Sequence, residues 1–404
     1  MKYDILTVGF PMVEIMRKER NVPFDVPADF TGPYPSADTC IMLDVAARLG
    51  RSCCMLGVTG DDTFADVVTN RLSRDGVDIS HMTRLAGKGT IIVFVRYEAD
   101  GTREYLECQN NAAATEFCAE NIDAAVVSQA RWVHFSGEVL CICADPQRRE
   151  AMLKVLRSVS PDAKVSLDPN FVESDIADLQ ALVQPFIDRA DLILPSEGEA
   201  RQMMGTQTDE QACEMLAAKG KIVALKRGSR GCDIYEGTKV HHADAFMIQE
   251  VDPTGCGDSF CAGFLTGLLE GLPMQKVGEL ANAAGALQAT ALGPMEGAKY
   301  RSEVQAFIET AARRGVPVQK RARQRSGANR HHSPAAGADS GTVHRGKYFR
   351  GKRTGKARRY QLERNPRQSE GIDGARWFDG RSGYTGAGHR HWQAAARGNL
   401  QGNF

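Results

Sequence analysis

The densest chemistry in the chain lies in Val251-Asp252-Pro253-Thr254-Gly255-Cys256-Gly257-Asp258-Ser259-Phe260. Glycines allow backbone N–H groups to turn toward a ligand, and the apolar, helix-periodic run that follows to Leu269 adds the positive end of a helix dipole. Such a turn is an anion hole suited to a phosphate. Asp258 is an odd residue for it, since a carboxylate repels phosphate. Two readings account for Asp258: a base that takes a hydroxyl proton during phosphoryl transfer, or an acidic residue favoured by the dipole in a first helical turn. Other phosphate motifs are excluded. The chain has no G-x-x-x-x-G-K-[ST] loop, and Gly255-Cys256-Gly257 lacks the third glycine of a dinucleotide fingerprint and lies late in the sequence.

The surrounding pattern predicts the elements that position this loop. Short apolar runs at 3–9, 52–58, 132–135, 164–167, 192–194 and 222–226 read as buried strands, with helical stretches between them. Helical spacing covers 42–49 and 64–74, closed by Gly50 and Asp75-Gly76. Strands alternating with helices predict an α/β fold with a mostly parallel sheet covered on both faces. Two stretches break the rhythm. Residues 11–35 are proline-rich without helical pattern, and 91–97 and 102–106 flank an Asp-Gly turn as a β-hairpin. Together, about 11–36 and 88–108 are expected to form a small β-lid over the carboxyl edge of the sheet, where ligands of open α/β sheets bind.

The 404 residues carry 50 Lys+Arg and 50 Asp+Glu, but the balance hides two halves. Residues 318–404 hold 19 basic and 5 acidic residues with 14 Gly and no Cys or Met, leaving 1–317 with a net charge of −14. The Gly/Arg-rich tail lacks the apolar surface to offset chain entropy and is expected to be disordered. Tracts such as Lys320-Arg321-Ala322-Arg323 read as a nucleic-acid arm, an inert tail or out-of-frame sequence. The eleven cysteines include no C-x-x-C pair and read as free thiols in a reducing compartment. No apolar run is long enough to cross a bilayer, and the N-terminus lacks a signal-peptide core. The expected location is the cytoplasm, with no membrane partner.

With these residues in view, 1–317 resembles the ribokinase-like (PfkB) carbohydrate kinases. Asp252-Pro253-Thr254-Gly255-Cys256-Gly257-Asp258 is similar to the family signature D-T-x-G-A-G-D, with Pro253 and Cys256 as departures. The resemblance implies a three-layer αβα sandwich with a β-lid. It implies ATP and Mg²⁺ as cofactors and a monovalent cation such as K⁺ near Gly293-Pro294-Met295-Glu296-Gly297. It makes Asp258 the catalytic base, with Gly255, Cys256 and Gly257 as the anion hole and Thr254 beside the nucleotide. Lys226, Gly228 and Gly231 match the strand and turn lining ATP, and Asn282 matches the helix flanking adenine or simply packs there. Glu199 matches the outer magnesium ligand of N-x-x-E, whose Asn is Ser196 here, and Asp252 joins the metal candidates.

The substrate end departs more. Glu14 stands where the family has a sugar-binding Asp, and Ser36, Ala37 and Ile41 replace two glycines and an Asn. Asp38 remains, in the form seen in 2-keto-3-deoxygluconate kinases. Asp168 and Asn170 match the D-P-N turn beside substrate, with Val172 replacing a frequent Arg. Arg96, Arg103 and Tyr105 on the lid hairpin are candidates for a substrate carboxylate or phosphate. The implied reaction is ATP-dependent phosphorylation of a primary hydroxyl on a small sugar or sugar acid, 2-keto-3-deoxygluconate or a ketohexose first. A nucleoside kinase and a catalytically weak sugar- or nucleotide-binding protein are the alternatives. A homodimer through the lid is a further expectation.

Overall fold

The run Cys53–Gly60 has all eight residues buried. A strand covered on both faces belongs in a parallel sheet between helix layers. The computed structural model of the chain, which describes residues 1–99, 102–170 and 179–313, has that arrangement. In chain order the strands are β1 (Tyr3–Gly9), β2 (Met12–Arg17), β3 (Phe30–Ser36), β4 (Cys53–Gly60), β5 (Val77–Asp78), β6 (Met82–Leu85) and β7 (Ile91–Tyr97). They continue as β8 (Arg103–Cys108), β9 (Ala130–Ser136), β10 (Lys164–Asp168), β11 (Leu192–Ile193), β12 (Ile222–Lys226), β13 (Cys232–Glu236) and β14 (Lys239–Ala243).

The central sheet runs β14-β13-β12-β11-β10-β9-β1-β4-β5, with β6 also pairing β4. Pairing is parallel from β12 through β5, and β13 and β14 close one edge as an antiparallel hairpin. The six strands expected from sequence are present, β1 and β12 with the expected ends and the others shifted by one or two residues. β5, β6, β13 and β14 are additions. β14, Lys-Val-His-His-Ala, is mostly exposed and so carries no apolar run to announce it. Helices Asp38–Arg48, Thr63–Arg74, Cys256–Leu269, Met274–Gln288 and Arg301–Arg313 pack among themselves. A second set between β9 and β12 includes Gly137–Ile142, Pro146–Arg157, Leu179–Arg189 and Asp209–Ala218.

A separate four-stranded sheet, β3-β2-β7-β8, gathers the two segments expected to form the lid. β2 and β7 pair in parallel at its centre, and β8 is an edge strand. The basic segment 318–404 and Val172 lie outside the described residues. Among the described residues no helix is long and apolar enough to cross a membrane. All eleven cysteines are free thiols, most of them buried.

One junction carries strain. Ala37 precedes helix Asp38–Arg48 at φ 97°, ψ 134°, with its methyl group buried. Backbone in this region favours glycine, and a non-glycine residue there costs of order 1–3 kcal/mol. Ala37→Gly is therefore expected to stabilise the fold by about 1 kcal/mol after the extra chain entropy of glycine. Thermal unfolding should register this as a rise in Tm of about 2–3 °C. A fall in Tm would show that the methyl contacts outweigh the strain.

Candidate active site

Asp252 to Thr254 lead into helix Cys256–Leu269 through Gly255, which holds φ 78° as the residue before the first turn. A Cβ there would stand 2.4 Å from the Pro294 carbonyl and 3.1 Å from Ile41 Cγ2. Glycine is thus required by conformation and by space. The first N–H groups of the helix lack intrahelical acceptors; that of Cys256 turns back to the Pro253 carbonyl at 3.3 Å. Gly257 is bare on its outer side, and a Cβ there would lie 3.6 Å from Lys226 Nζ. An ammonium therefore borders the turn. Asp258 follows in the same turn. Burial, then the carboxylates Asp38 and Asp168, push its proton affinity well above the usual carboxylate range, while Lys226 pulls the other way. A stronger base results.

Three strand ends supply the floor. β10 ends at Asp168, β12 at Lys226 and β9 at Ser136. Lys226 Nζ donates to Asp168 Oδ2 at 2.7 Å, with both side chains 10% exposed or less. Burial disfavours the ammonium, but Asp168 outweighs this and holds Lys226 protonated well above its ordinary range. Cys261 Sγ donates to the same oxygen at 3.1 Å. Asp168 Oδ1 is buried without a hydrogen-bond partner. Asp38, the first residue of its helix, accepts from Ser136 Oγ, from Asn170 Nδ2 at 3.3 Å and from the Thr39 N–H at 2.5 Å. Asn170 reaches it from a backbone at φ 33°. Asp38, Asp168, Asn170, Lys226 and Asp258 are thus brought together.

The lid is tied to the glycine turn through Asp252. Its Oδ1 accepts from Tyr97 Oη of β7 at 2.8 Å, from Thr254 Oγ1 at 2.7 Å and from the Thr254 N–H at 3.0 Å. Its Oδ2 accepts from the Gly293 N–H at 2.9 Å. Asp252 is fully buried in this role. With these oxygens engaged by protein donors, its placement does not fit the metal-ligand expectation. Arg103 Nη1 donates to Thr254 Oγ1 at 2.8 Å, so the lid arginine sits over the turn. Glu14 on β2 accepts from Ser36 Oγ at 2.7 Å, and its Oε2 is buried without a partner. Ser36, which replaces a glycine, therefore fixes the residue that replaces the sugar-binding Asp.

Burial pushes Glu14 up to about 7, against the Ser36 hydrogen bond, and Asp252 adds to the rise. A carboxyl whose folded value exceeds its unfolded one binds more protons when folded. Its stabilisation is complete below about pH 4.5 and is lost as pH rises through about 7. Glu14→Gln should remove that loss, worth up to about 3 kcal/mol. The variant is expected to melt higher than the parent at pH 8 and no higher at pH 5. Equal melting temperatures at pH 8 would place Glu14 in water-like surroundings.

Other candidates fall elsewhere. Register pairs Arg96 with Glu104 and Tyr97 with Arg103, so alternation puts Arg96 on the opposite face from Arg103. There Arg96 pairs with Glu98 at 2.6 Å and with Glu104, away from the turn, which corrects its expected place among the substrate residues. Tyr105 shares the face of Arg103 but lies exposed on edge strand β8, 5.7 Å from the Arg103 guanidinium. Asn282 Nδ2 donates to the Ala243 and Asp244 carbonyls at 2.9 and 3.0 Å, lacing its helix to the end of β14. Gly228 and Gly231 bound the turn between β12 and β13. Glu199 Oε2 accepts from the Ser196 N–H at 2.6 Å, beside the end of β12.

Sequence reasoning missed Glu138. It opens the short helix after β9, where its N–H donates to Ser136 Oγ at 3.2 Å. Burial, then the charges of Asp38 and Asp258, push its proton affinity well above the usual carboxylate range. Only the meeting of β9 with helix Asp38–Arg48 reveals this pair. Tyr97 was also missed, although its place at the end of an alternating strand marks it as inward-facing.

Comparison with known proteins fits this geometry. The pfkB family carbohydrate kinase model matches residues 41–299. A fructokinase of Escherichia coli is 31% identical over 271 residues, 64% of this chain and 87% of the relative. A 2-dehydro-3-deoxygluconokinase of Bacillus subtilis (strain 168) is 25% identical over 327 residues, 79% of this chain and 99% of the relative. An E. coli crystal structure described as a candidate ribokinase II, in complex with ATP and Mg²⁺, superposes with a TM-score of 0.72 at 31% identity. That match covers 76% of this chain and 99% of the other. The sheet, the lid and the glycine turn therefore belong to a common inheritance, and the chain is a member of the pfkB family of carbohydrate kinases, phosphotransferases whose acceptor is an alcohol group.

Proposed function

We propose that the chain phosphorylates a primary hydroxyl of a small sugar or sugar acid at the expense of ATP, with Asp258 as base. The observation that carries this reading is the position of Asp258. It stands in the first turn of a helix opened by a glycine-only bend, beside the Asp168–Lys226 pair. Asp258 accepts the proton of the acceptor hydroxyl as the oxygen gains its bond to phosphorus. The N–H groups from Gly255 to Gly257 and the Lys226 ammonium hold the transferred phosphoryl group and offset its charge.

The residues fit the cofactors. The bare side of Gly257 leaves a cradle that a side chain would fill. Asp168 Oδ1, buried and unpartnered, and Glu199 through water would be the oxygen donors for Mg²⁺, a cation that keeps several waters of its own. When bound, Mg-ATP supplies the phosphoryl group and neutralises charge on the leaving diphosphate. The lid, pinned to the turn by Tyr97 and Arg103, excludes water so that the sugar hydroxyl outcompetes hydrolysis. A homodimer through β8 belongs to the same reading, since Tyr105 and Leu106 are exposed on that edge.

The test is coupled ADP release with Mg-ATP against a panel of sugars, sugar acids and nucleosides. Acceptor-dependent turnover on one class supports the reading. ATP binding without acceptor-dependent ADP release on any of them would instead mark a kinase-fold binding protein.

A further inference from the structure

We propose that the side-chain amide of Gln288 takes the place of a monovalent cation, so that this chain holds its glycine turn without K⁺. The inference goes beyond the kinase reading above. The resemblance to the pfkB kinases implies such a cation beside residues 293–297. Monovalent cations are held by oxygens, often backbone carbonyls, that replace the hydration shell. The oxygens of this loop do not fit one, because protein donors already take them.

Gln288 is fully buried, and its Nε2 donates to the Thr254 carbonyl at 3.1 Å and to the Gly293 carbonyl at 2.9 Å. A primary amide has two donors, and both are engaged. Turned the other way, the side chain would set its oxygen against two carbonyl oxygens. The Gly293 carbonyl also accepts from the Glu296 N–H at 3.3 Å, which fills its second lone pair. The Met295 carbonyl accepts from Arg71 Nη2 at 2.8 Å and from the Ala298 N–H at 3.3 Å. The Ala289 carbonyl accepts from the Val251 N–H at 2.8 Å and the Asp252 N–H at 3.2 Å. Both oxygens of Asp252 are engaged as well. A cation that used the Thr254 and Gly293 carbonyls would have to displace the amide between them.

The amide also aims a donor. The Thr254 carbonyl and the Gly255 N–H belong to one trans peptide, so they point in opposite directions. By drawing the carbonyl to itself, Gln288 turns the Gly255 N–H the other way, into the anion hole. Its second bond holds Gly293, whose own N–H reaches Asp252. Gln288 is thus a positioning residue that acts on phosphate through the turn.

The experiment is calorimetric titration of the full chain with Mg-ADP, in KCl and in tetramethylammonium chloride at equal ionic strength. Tetramethylammonium is too large to sit among carbonyls. The parent is expected to bind equally in the two salts, within about twofold, and to melt at the same temperature in both. Gln288→Glu keeps the side chain's size but replaces its donors with acceptors. It should lose about tenfold in affinity in tetramethylammonium and regain most of it in KCl, where carboxylate and carbonyls can share a cation. Gln288→Met supplies neither donor nor ligand and should bind weakly in both. A parent that loses tenfold or more in tetramethylammonium, or melts higher in KCl, overturns the proposal whatever the variants do. So do variants that bind like the parent in both salts. Binding of Mg-ADP in neither salt overturns this inference and the kinase reading together. ADP release is read separately. Salt-indifferent binding without acceptor-dependent turnover would sink the kinase reading and leave this inference standing.

Discussion

Asp258→Asn is expected to lower kcat by about 10³-fold while the acceptor KM moves less than about threefold. The two readings of Asp258 part here. As a dipole partner it would be replaced almost without loss, because Asn also suits a helix start, and the enzyme would keep its rate. As a base it has no substitute, since an amide cannot accept the hydroxyl proton. Stability gives a second readout. Burial, then Asp38 and Asp168, raise the proton affinity of Asp258, so its charge is a burden to the folded state. The neutral variant should therefore melt at or above the parent temperature at pH 8. The acid limb of kcat/KM for the parent should lie above the usual carboxylate range, because protonated Asp258 is inactive. A variant with near-parental kcat would end the base assignment.

Lys226→Met should cost about 3–5 kcal/mol, because it leaves Asp168 buried and unpaired. In a domain of this size that lowers Tm by about 10 °C. The double variant Lys226→Met, Asp168→Asn should recover most of the loss, since removing both charges removes the uncompensated one. Activity should fall in both, as neither keeps the ammonium beside Gly257. A single variant that melts with the parent would mean that water reaches Asp168 and the ion pair carries little stability.

The glycine turn was legible because its requirements are local: a positive φ at Gly255, a bare Gly257 and an acid one residue on. The parallel sheet was legible because strands buried on both faces leave continuous apolar runs, as Cys53–Gly60 does. Asp38, Asp168 and Asn170 came from family motifs rather than periodicity, and the fold brings them within reach of one another. Glu138 escaped because nothing around it in sequence marks it; its chemistry arises when β9 delivers it to Asp38. Arg96 was misplaced although the period of two was enough to separate it from Arg103. Ile41 and Ala37 looked like losses from the substrate end. Ile41 packs on Gly255, and Ala37 keeps a backbone conformation suited to glycine.

Asp252 links three parts that the reaction treats separately: Tyr97 of the lid, Thr254 before the glycine turn and Gly293 of the closing loop. Movement of any one disturbs hydrogen bonds on the same carboxylate. The two ligands of this kinase should therefore not bind independently. An acceptor that settles the lid also settles the loop beside the nucleotide, and thermodynamic reciprocity requires the nucleotide to return the favour by the same factor, typically about 5–150-fold. In a chain built this way, synergy between co-substrates is a property of one buried aspartate.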